Sequence, residues 1–134
     1  SMVEVANELR AKHSPSYIIE QLYEKAQAAN SNCIIESIRT IGEVEALRSK
    51  PNFFLFAVDA APALRYERVV QRGSETDKVS YETFLANEQR EMNSTDPNKQ
   101  NLAGCLALAD YRFTNDGSFD DLFDAVESTI QKIL

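Results

Sequence analysis

Short apolar runs alternate along this chain with stretches in which apolar residues recur every three or four positions. The runs are bounded by turn residues and predict buried strands at residues 33–35, 53–58 and 111–114. The longer spacing predicts helices between them, including residues 62 to about 71 and 118–134. Strands that alternate with helices predict an α/β fold with a parallel sheet. We therefore expect three layers, with helices on both faces of the sheet.

The same spacing predicts further helices, at residues 2–12, 43–49 and 81–92. Ser14 followed by Pro15 marks another helix start, because proline suits the first turn. The apolar stretch 102–108 is compatible with either a helix or a strand. Ser118 and Asp121 resemble a capping box, with aspartate in the position that glutamate usually takes.

The size and the charge of the chain narrow the classes of function that are compatible with it. A chain of 134 residues suffices for one domain with a buried core and is short for two. The formal net charge of -7 argues against binding to nucleic acid or a membrane surface, because phosphate groups select basic faces. The negative net charge is still compatible with a small phosphorylated ligand that is held by a few local arginines. No apolar run approaches the ~18 residues of a membrane span, and we expect a cytoplasmic protein.

The cysteines and the single histidine offer no metal site by their spacing. Cys33 and Cys105 lie far apart in apolar runs, so we expect both to be buried and reduced. His13 stands alone in a predicted turn between helices. Without paired cysteines or a second histidine, no metal is predicted from the protein's own ligands.

Polar residues follow each predicted strand, where ligands bind in parallel α/β sheets. After the first strand come Glu36 and Arg39. A carboxylate there can polarise a nucleophile or orient hydrated Mg²⁺, and an arginine can grip a phosphate. The alternative is an ion pair in a solvent-facing loop.

Three arginines share one face of the helix after the second strand, at positions 65, 68 and 72. Such a face can gather phosphate charge during phosphoryl transfer. The alternative is the charged outer face of an amphipathic helix, which we favour for Arg65. Arg72 adjoins Gly73 and a charged loop, so it is the better candidate for a lid residue.

The turn after the third strand is Asn115-Asp116-Gly117. The Asn115 amide can hydrogen-bond the edge of a base, and Gly117 allows the backbone to approach a ring closely. The alternative is a plain turn, because this tripeptide suits turns in any protein.

Four segments, in this order, together resemble P-loop kinases of the nucleoside-monophosphate and dephospho-coenzyme A type. The likeness extends to an adenylate-kinase-like family that includes archaeal proteins and a kinase-like module beside deoxycytidylate deaminases. Asn7-Glu8-Leu9-Arg10 resembles the N-E-L-R segment of that family, and residues 34–39 resemble its I-D-G-x-R strand end. Residues 56–73 resemble the strand, helix and lid start, and residues 109–118 the adenine-side strand and turn.

The resemblance implies an ATP-dependent phosphotransferase that uses Mg²⁺ and has a lid at about residues 73–100. It implies that Arg39 contacts the phosphate of the acceptor and that Glu36 stands in for the strand-end acid. It also implies two lid arginines and two residues of the adenine pocket: Arg68 and Arg72, then Asn115 and Gly117. Two departures are Glu36-Ser37 in place of Asp-Gly, and Ser74-Glu75 where relatives often carry another arginine.

A third departure concerns the phosphate loop. No G-x-x-x-x-G-K-[ST] occurs in the 134 residues, and the four glycines are dispersed. In the family this loop and its strand precede the matched segments, and the strand lies in the middle of the sheet. The strands at 33–35 and 53–58 must then pair directly, or a partner chain must fill the gap.

Two hypotheses follow. In the first, the chain is the C-terminal part of a nucleotide kinase that acts on a small phosphorylated acceptor and is inactive as this chain alone. In the second, it is a non-catalytic module that binds a nucleotide or forms oligomers, and it regulates a partner enzyme such as a deaminase. An incomplete sheet exposes strand edges, so the second hypothesis also predicts a homo-oligomer.

Overall fold

The computed structural model describes residues 1–73, 79–92 and 100–134. In these ranges the helices and strands follow one another as α1 (Met2–Lys12), α2 (Tyr17–Ala29), α3 (Ile41–Arg48), β1 (Phe56–Asp59), α4 (Pro62–Arg72), α5 (Tyr81–Met92), α6 (Leu102–Ala107), β2 (Tyr111–Thr114) and α7 (Phe119–Ile133). The two strands pair in parallel, with Phe56 opposite Tyr111 and Asp59 opposite Thr114. The predicted mixed α/β class with parallel pairing is confirmed.

Several helix ends follow the local signals in the sequence, but the start predicted at Ser14-Pro15 is wrong, because α2 begins at Tyr17 with Ser16 before it. Pro62 lies in the first turn of α4, where its missing N–H is not needed. Gly73 ends the same helix with φ of 67°, a left-handed conformation that glycine adopts without a steric penalty. The side chain of Ser118 caps α7 by accepting a hydrogen bond from the backbone N–H of Asp121. The stretch whose type was open forms the short helix α6.

The strand predicted at residues 33–35 is wrong. These residues lie in an irregular segment, and the described sheet contains only β1 and β2. Ile34 is 92% exposed, and Cys33, expected to be buried, is exposed as well. Three apolar residues form a strand only if a neighbouring strand pairs with them, and β1 does not do so. Direct pairing between residues 33–35 and 53–58 is therefore excluded.

The chain divides into two compact units. The first comprises Ser1–Phe53 and Gln89–Leu108, and its buried residues include Ile19, Val44 and Leu47. The second comprises Phe54–Glu88 and Ala109–Leu134, with its own buried residues: Leu55, Ala57, Ala60 and Phe113. Of the lid predicted at about residues 73–100, positions 74–78 and 93–99 lie outside the described residues. None of the described helices combines the length and the apolar character that crossing a membrane requires.

The irregular segment contains a strained residue. Ser37 has φ of 67°, where an L-residue is disfavoured and glycine is not. In the family resemblance proposed from the sequence, this serine stands where the I-D-G-x-R pattern has glycine.

We expect Ser37→Gly to raise the free energy of unfolding by about 0.5–1 kcal/mol, because it relieves this strain. The gain is partial, since glycine also loses more conformational entropy on folding. Urea denaturation measures the change. Ser31→Gly is the control: Ser31 is exposed and is not among the residues with positive φ, so we expect it to lower stability. Destabilisation by Ser37→Gly would contradict the expectation.

Candidate functional site

The carboxyl ends of β1 and β2 lie side by side in the second unit. The backbone N–H of Asn115 donates to the carbonyl of Asp59 at 2.7 Å, directly after the last pair of the ladder. The loop that leads to α4 and the Asn115-Asp116-Gly117 turn therefore leave the sheet from adjacent positions. This edge is where parallel α/β sheets place ligands.

Asp116 ties the turn to the start of α4. Its Oδ1 accepts a hydrogen bond of 2.8 Å from the backbone N–H of Ala61. The first N–H groups of a helix lack partners within it, and a carboxylate there also complements the helix dipole. Gly117 is absent from the residues with positive φ, but a Cβ there would come within 3.3 Å of Asp121 Oδ2. The glycine here is therefore not explained by a positive φ, and a side chain would require Asp121 to shift slightly.

Arg68 reaches the same turn from α4. Its Nη1 donates to the carbonyl oxygen of Asn115 at 2.7 Å. The family resemblance implied a lid role for Arg68 and an adenine-pocket role for Asn115, and the structure shows the two residues in contact. Arg68 is half-buried, and with this bond it acts as a positioning residue for the turn.

The other two arginines of α4 differ in their surroundings. Arg65 Nε donates to the carbonyl of Ala60 at 2.7 Å, and Nη1 forms an ion pair with Glu88. Arg65 also lies 3.9 Å from Asp59 Oδ1. It therefore holds α4, α5 and the end of β1 together, whereas the sequence favoured a place on the charged outer face of an amphipathic helix. Arg72 is exposed at the last position of α4, next to the segment 74–78.

Glu36 and Arg39 lie in the first unit. Glu36 is exposed, and the described residues include no salt bridge between it and Arg39. The Arg39 backbone is fixed at both ends: its N–H donates to Glu43 Oε1 at 3.2 Å, and its carbonyl accepts from the Asn101 N–H at 2.7 Å. Its side chain is half-exposed.

The group that fixes Arg39 is a buried carboxylate that the sequence analysis missed. Glu43 is 2% exposed, and its Oε1 accepts hydrogen bonds from the backbone N–H and the hydroxyl of Thr40, at 3.0 and 2.9 Å. Its Oε2 lies 3.9 Å from the guanidinium of Arg10, which is itself buried. Thr40-Ile41-Gly42-Glu43 has the spacing of a capping box, and this signal could have revealed the residue.

Cys105 lies in the same unit and is 7% exposed. Burial, and to a smaller extent the negative charge of Glu43, raise the pKa of this thiol to about 11. The thiol therefore stays protonated at neutral pH and is a poor nucleophile. Among the described residues, no cluster of three or more histidine, cysteine, aspartate or glutamate side chains is arranged to hold a metal ion.

We expect Arg68→Ala to loosen the turn and to lower the free energy of unfolding by about 1–2 kcal/mol, because a hydrogen bond from a charged donor is lost. Amide hydrogen exchange at residues 115–117 should become faster. Urea denaturation gives the stability, and Glu67→Ala, at an exposed position of the same helix, is the control. Unchanged exchange in Arg68→Ala would show that the turn does not depend on this contact.

Comparisons with known proteins find sequence similarity to UPF0200 proteins. No family model and no solved structure matches the chain. A UPF0200 protein of Methanocaldococcus jannaschii is 31% identical over 131 residues, which cover 98% of this chain and 61% of the relative. One from Methanococcus maripaludis strain C6 is 32% identical over 101 residues, or 75% of this chain and 52% of the relative. One from Staphylothermus marinus is 23% identical over 134 residues, or 100% of this chain and 68% of the relative.

The matches extend along nearly the whole chain in two of these three relatives and along three quarters of it in the other. The chain itself spans between about half and two thirds of the length of these relatives. The sequence is thus similar to UPF0200 proteins that are longer than it is.

Proposed function

We propose that this chain is the C-terminal part of an ATP-dependent nucleotide kinase that transfers a phosphoryl group to a small phosphorylated acceptor. The observation that supports it is the parallel pairing of β1 with β2, which brings Asp59 and the Asn115-Asp116-Gly117 turn to one sheet edge. Such edges hold nucleotides in doubly wound α/β proteins. In the longer protein the sheet is a three-layer, P-loop kinase-like one, in which another strand carries the phosphate loop.

The proposal assigns each candidate residue a task that its position permits. The Asn115 amide and the backbone at Gly117 contact the adenine ring. Arg39, on its rigid backbone, contacts the phosphate of the acceptor, and Glu36 acts as the strand-end acid. Arg72 contacts the transferring phosphoryl group together with the lid, while Arg68 positions the Asn115 turn. Mg²⁺ enters with ATP, bound mainly by phosphate oxygens and water.

The proposal also predicts that the 134-residue chain has no kinase activity by itself. The 134 residues contain neither a glycine-rich phosphate loop nor the lysine that such a loop carries. Without that cradle the β- and γ-phosphates have no donors to hold them in line with the acceptor. The two cysteines form no disulfide with each other, which is compatible with the reducing cytoplasm where such kinases work.

The experiment compares this chain with the longest product of its gene. A coupled assay with ATP, Mg²⁺ and a panel of nucleoside monophosphates should detect phosphoryl transfer by the longer protein and none by the 134-residue chain. In the longer protein, Arg39→Ala should raise KM for the acceptor at least tenfold, and Arg112→Ala, at an exposed position of β2, should not. Turnover by the short chain, or none by a longer product that carries the loop, would refute the proposal.

The second candidate is a non-catalytic module that binds a nucleotide and regulates a partner such as a deaminase. It is favoured by the lack of a phosphate loop in a chain that still has a structured strand-end turn. Titration calorimetry distinguishes the two: saturable nucleotide binding by the longest gene product, with no turnover of any monophosphate, supports the module. Loss of binding in Asn115→Ala, with retention in Thr114→Ala, would assign the binding to the turn.

A further inference from the structure

Two phenylalanines at the start of α7 form an exposed aromatic pair. Phe119 is 69% exposed and Phe123 is 61% exposed, and their rings stack with centroids 5.8 Å apart and planes 18° from parallel. Helical side chains lean toward the N-terminus of their helix. Phe119 is the first residue of α7, so its ring ends the stack, and its outer face has no aromatic neighbour in the described part of the chain.

The pair adjoins the turn to which the proposed function assigns adenine. Only Ser118 separates Phe119 from Gly117. The first turn of α7 is fixed beside this glycine: the Ser118 hydroxyl accepts a hydrogen bond from the Asp121 N–H at 3.1 Å, and Asp121 Oδ2 lies 3.3 Å from the place of a Cβ at Gly117. Asp116 ties the same turn to the start of α4. The aromatic pair therefore stands next to a structured part of the sheet edge.

The charges around the pair favour a neutral ring over a phosphate group. Asp120 and Asp121 directly follow Phe119, Asp124 directly follows Phe123, and all three carboxylates are exposed. Lysine and arginine are absent from α7 before its last turn. A phosphate would be repelled here, whereas a base has a π face that stacks on an aromatic side chain without a basic residue.

We propose that Phe119 is the platform on which the purine base of the bound nucleotide stacks, with Phe123 supporting its ring from the other side. The inference rests on the proposed function, in which the Asn115-Asp116-Gly117 turn contacts the same base. The base continues the stack of the two phenylalanines and covers the open face of Phe119. Hydrogen bonds from the turn select the base by its edge, and stacking supplies affinity. A purine has a larger face than a pyrimidine, so the platform also favours purine nucleotides.

Titration calorimetry on the longest product of the gene tests the proposal, with ATP and inorganic tripolyphosphate as probes. Phe119→Ala should weaken ATP binding about tenfold, a loss typical of removing one base–aromatic stack, and should leave tripolyphosphate binding unchanged. Phe119→Tyr keeps the aromatic face and should bind ATP as the native protein does. Phe54→Ala is the matched control, because Phe54 is 42% exposed but precedes β1, at the opposite end of the strand. Unchanged ATP binding in Phe119→Ala, equal weakening of both probes, or no ATP binding by the native protein would overturn the proposal.

Proton NMR of the nucleotide separates this inference from the kinase proposal. In the complex with the longest gene product, the adenine H2 and H8 resonances should move upfield through the ring current of Phe119, and Phe119→Ala should remove that shift. A protein that transfers phosphoryl groups but shows no such shift overturns the platform and leaves the kinase proposal standing. The shift without turnover of any monophosphate supports the platform and refutes the kinase.

The competing occupant of the ring is another segment of the longer protein, since the relatives of this chain are longer than it is. Urea denaturation distinguishes the two. If the outer face of Phe119 waits for a base, Phe119→Ala should lower the urea midpoint equally, and only slightly, in the 134-residue chain and in the longest gene product. A clearly larger fall in the longer protein would mean that a further segment packs on the ring, which overturns the proposal.

Discussion

Replacing Glu43 with alanine is expected to lower the free energy of unfolding by about 3–5 kcal/mol, as is usual when one partner of a buried ion pair is removed. The carboxylate accepts hydrogen bonds from Arg39 and Thr40 and faces the buried guanidinium of Arg10. Arg10 Nε has no hydrogen-bond partner in the described residues. Without Glu43 the Arg10 charge is left buried and uncompensated, and α3 also loses its cap.

Two variants separate these contributions. Glu43→Gln keeps an oxygen acceptor for the backbone N–H groups but removes the charge. Its loss of unfolding free energy relative to the native chain therefore measures the charge interaction with Arg10. Glu45→Ala, at an exposed position of the same helix, should change stability by less than about 0.5 kcal/mol. Urea denaturation measures all three. If Glu43→Ala cost no more than Glu45→Ala, the buried network would have no energetic role.

Raising the pH from 7.5 to 11 is expected to destabilise the chain by about 2–3 kcal/mol through Cys105 alone, at about 1.4 kcal/mol per pKa unit. The folded state raises the pKa of this thiol from 9.0 to about 11, through burial first and Glu43 second. Between these values the unfolded chain releases the thiol proton and the folded chain keeps it. The contribution is thus fully present below pH 9 and is lost as the pH rises toward 11.

Cys105→Ala separates the contribution of this thiol to the pH dependence of stability from that of the other groups that titrate at high pH. The variant should be less stable than the native chain at pH 7.5, because it leaves a small cavity, and the difference should shrink or reverse by pH 11. Thiolate absorbance gives the pKa directly, and Glu43→Gln should lower it because one negative charge is removed. A stability difference that stays constant between pH 7.5 and 11 would contradict the prediction.

The helices were largely predictable because their signals are local. Proline in the first turn of α4, glycine after its last residue and serine before α7 each satisfy backbone groups within a few positions. The spacing of apolar residues predicted α1, α5 and β2 at the bounds that the structure has. The capping box of Thr40 and Glu43 was equally local and could have been read from its spacing.

Features that depend on distant parts of the chain were predicted less well. Residues 33–35 have the composition of a strand but no paired strand in the described residues, so they remain irregular and exposed. The contact of Arg68 with Asn115 joins positions 47 residues apart, whereas spacing only placed Arg68 on one helical face with Arg65 and Arg72, and the lid role came from the family resemblance. Ser37 has a positive φ that glycine adopts more readily than serine, which only the backbone angle reveals.

The sequence by itself determined most of the helices, the two strands that pair, the parallel α/β class and the polar character of the strand ends, since these depend on local propensity and periodicity. Tertiary structure decided which of these residues meet: Arg68 and Asp116 hold the Asn115-Asp116-Gly117 turn, and Glu43 holds the backbone of Arg39. It also decided that β1 pairs with β2 in the described part of the chain, because a strand completes its hydrogen bonds only with another strand, which sequence periodicity does not identify.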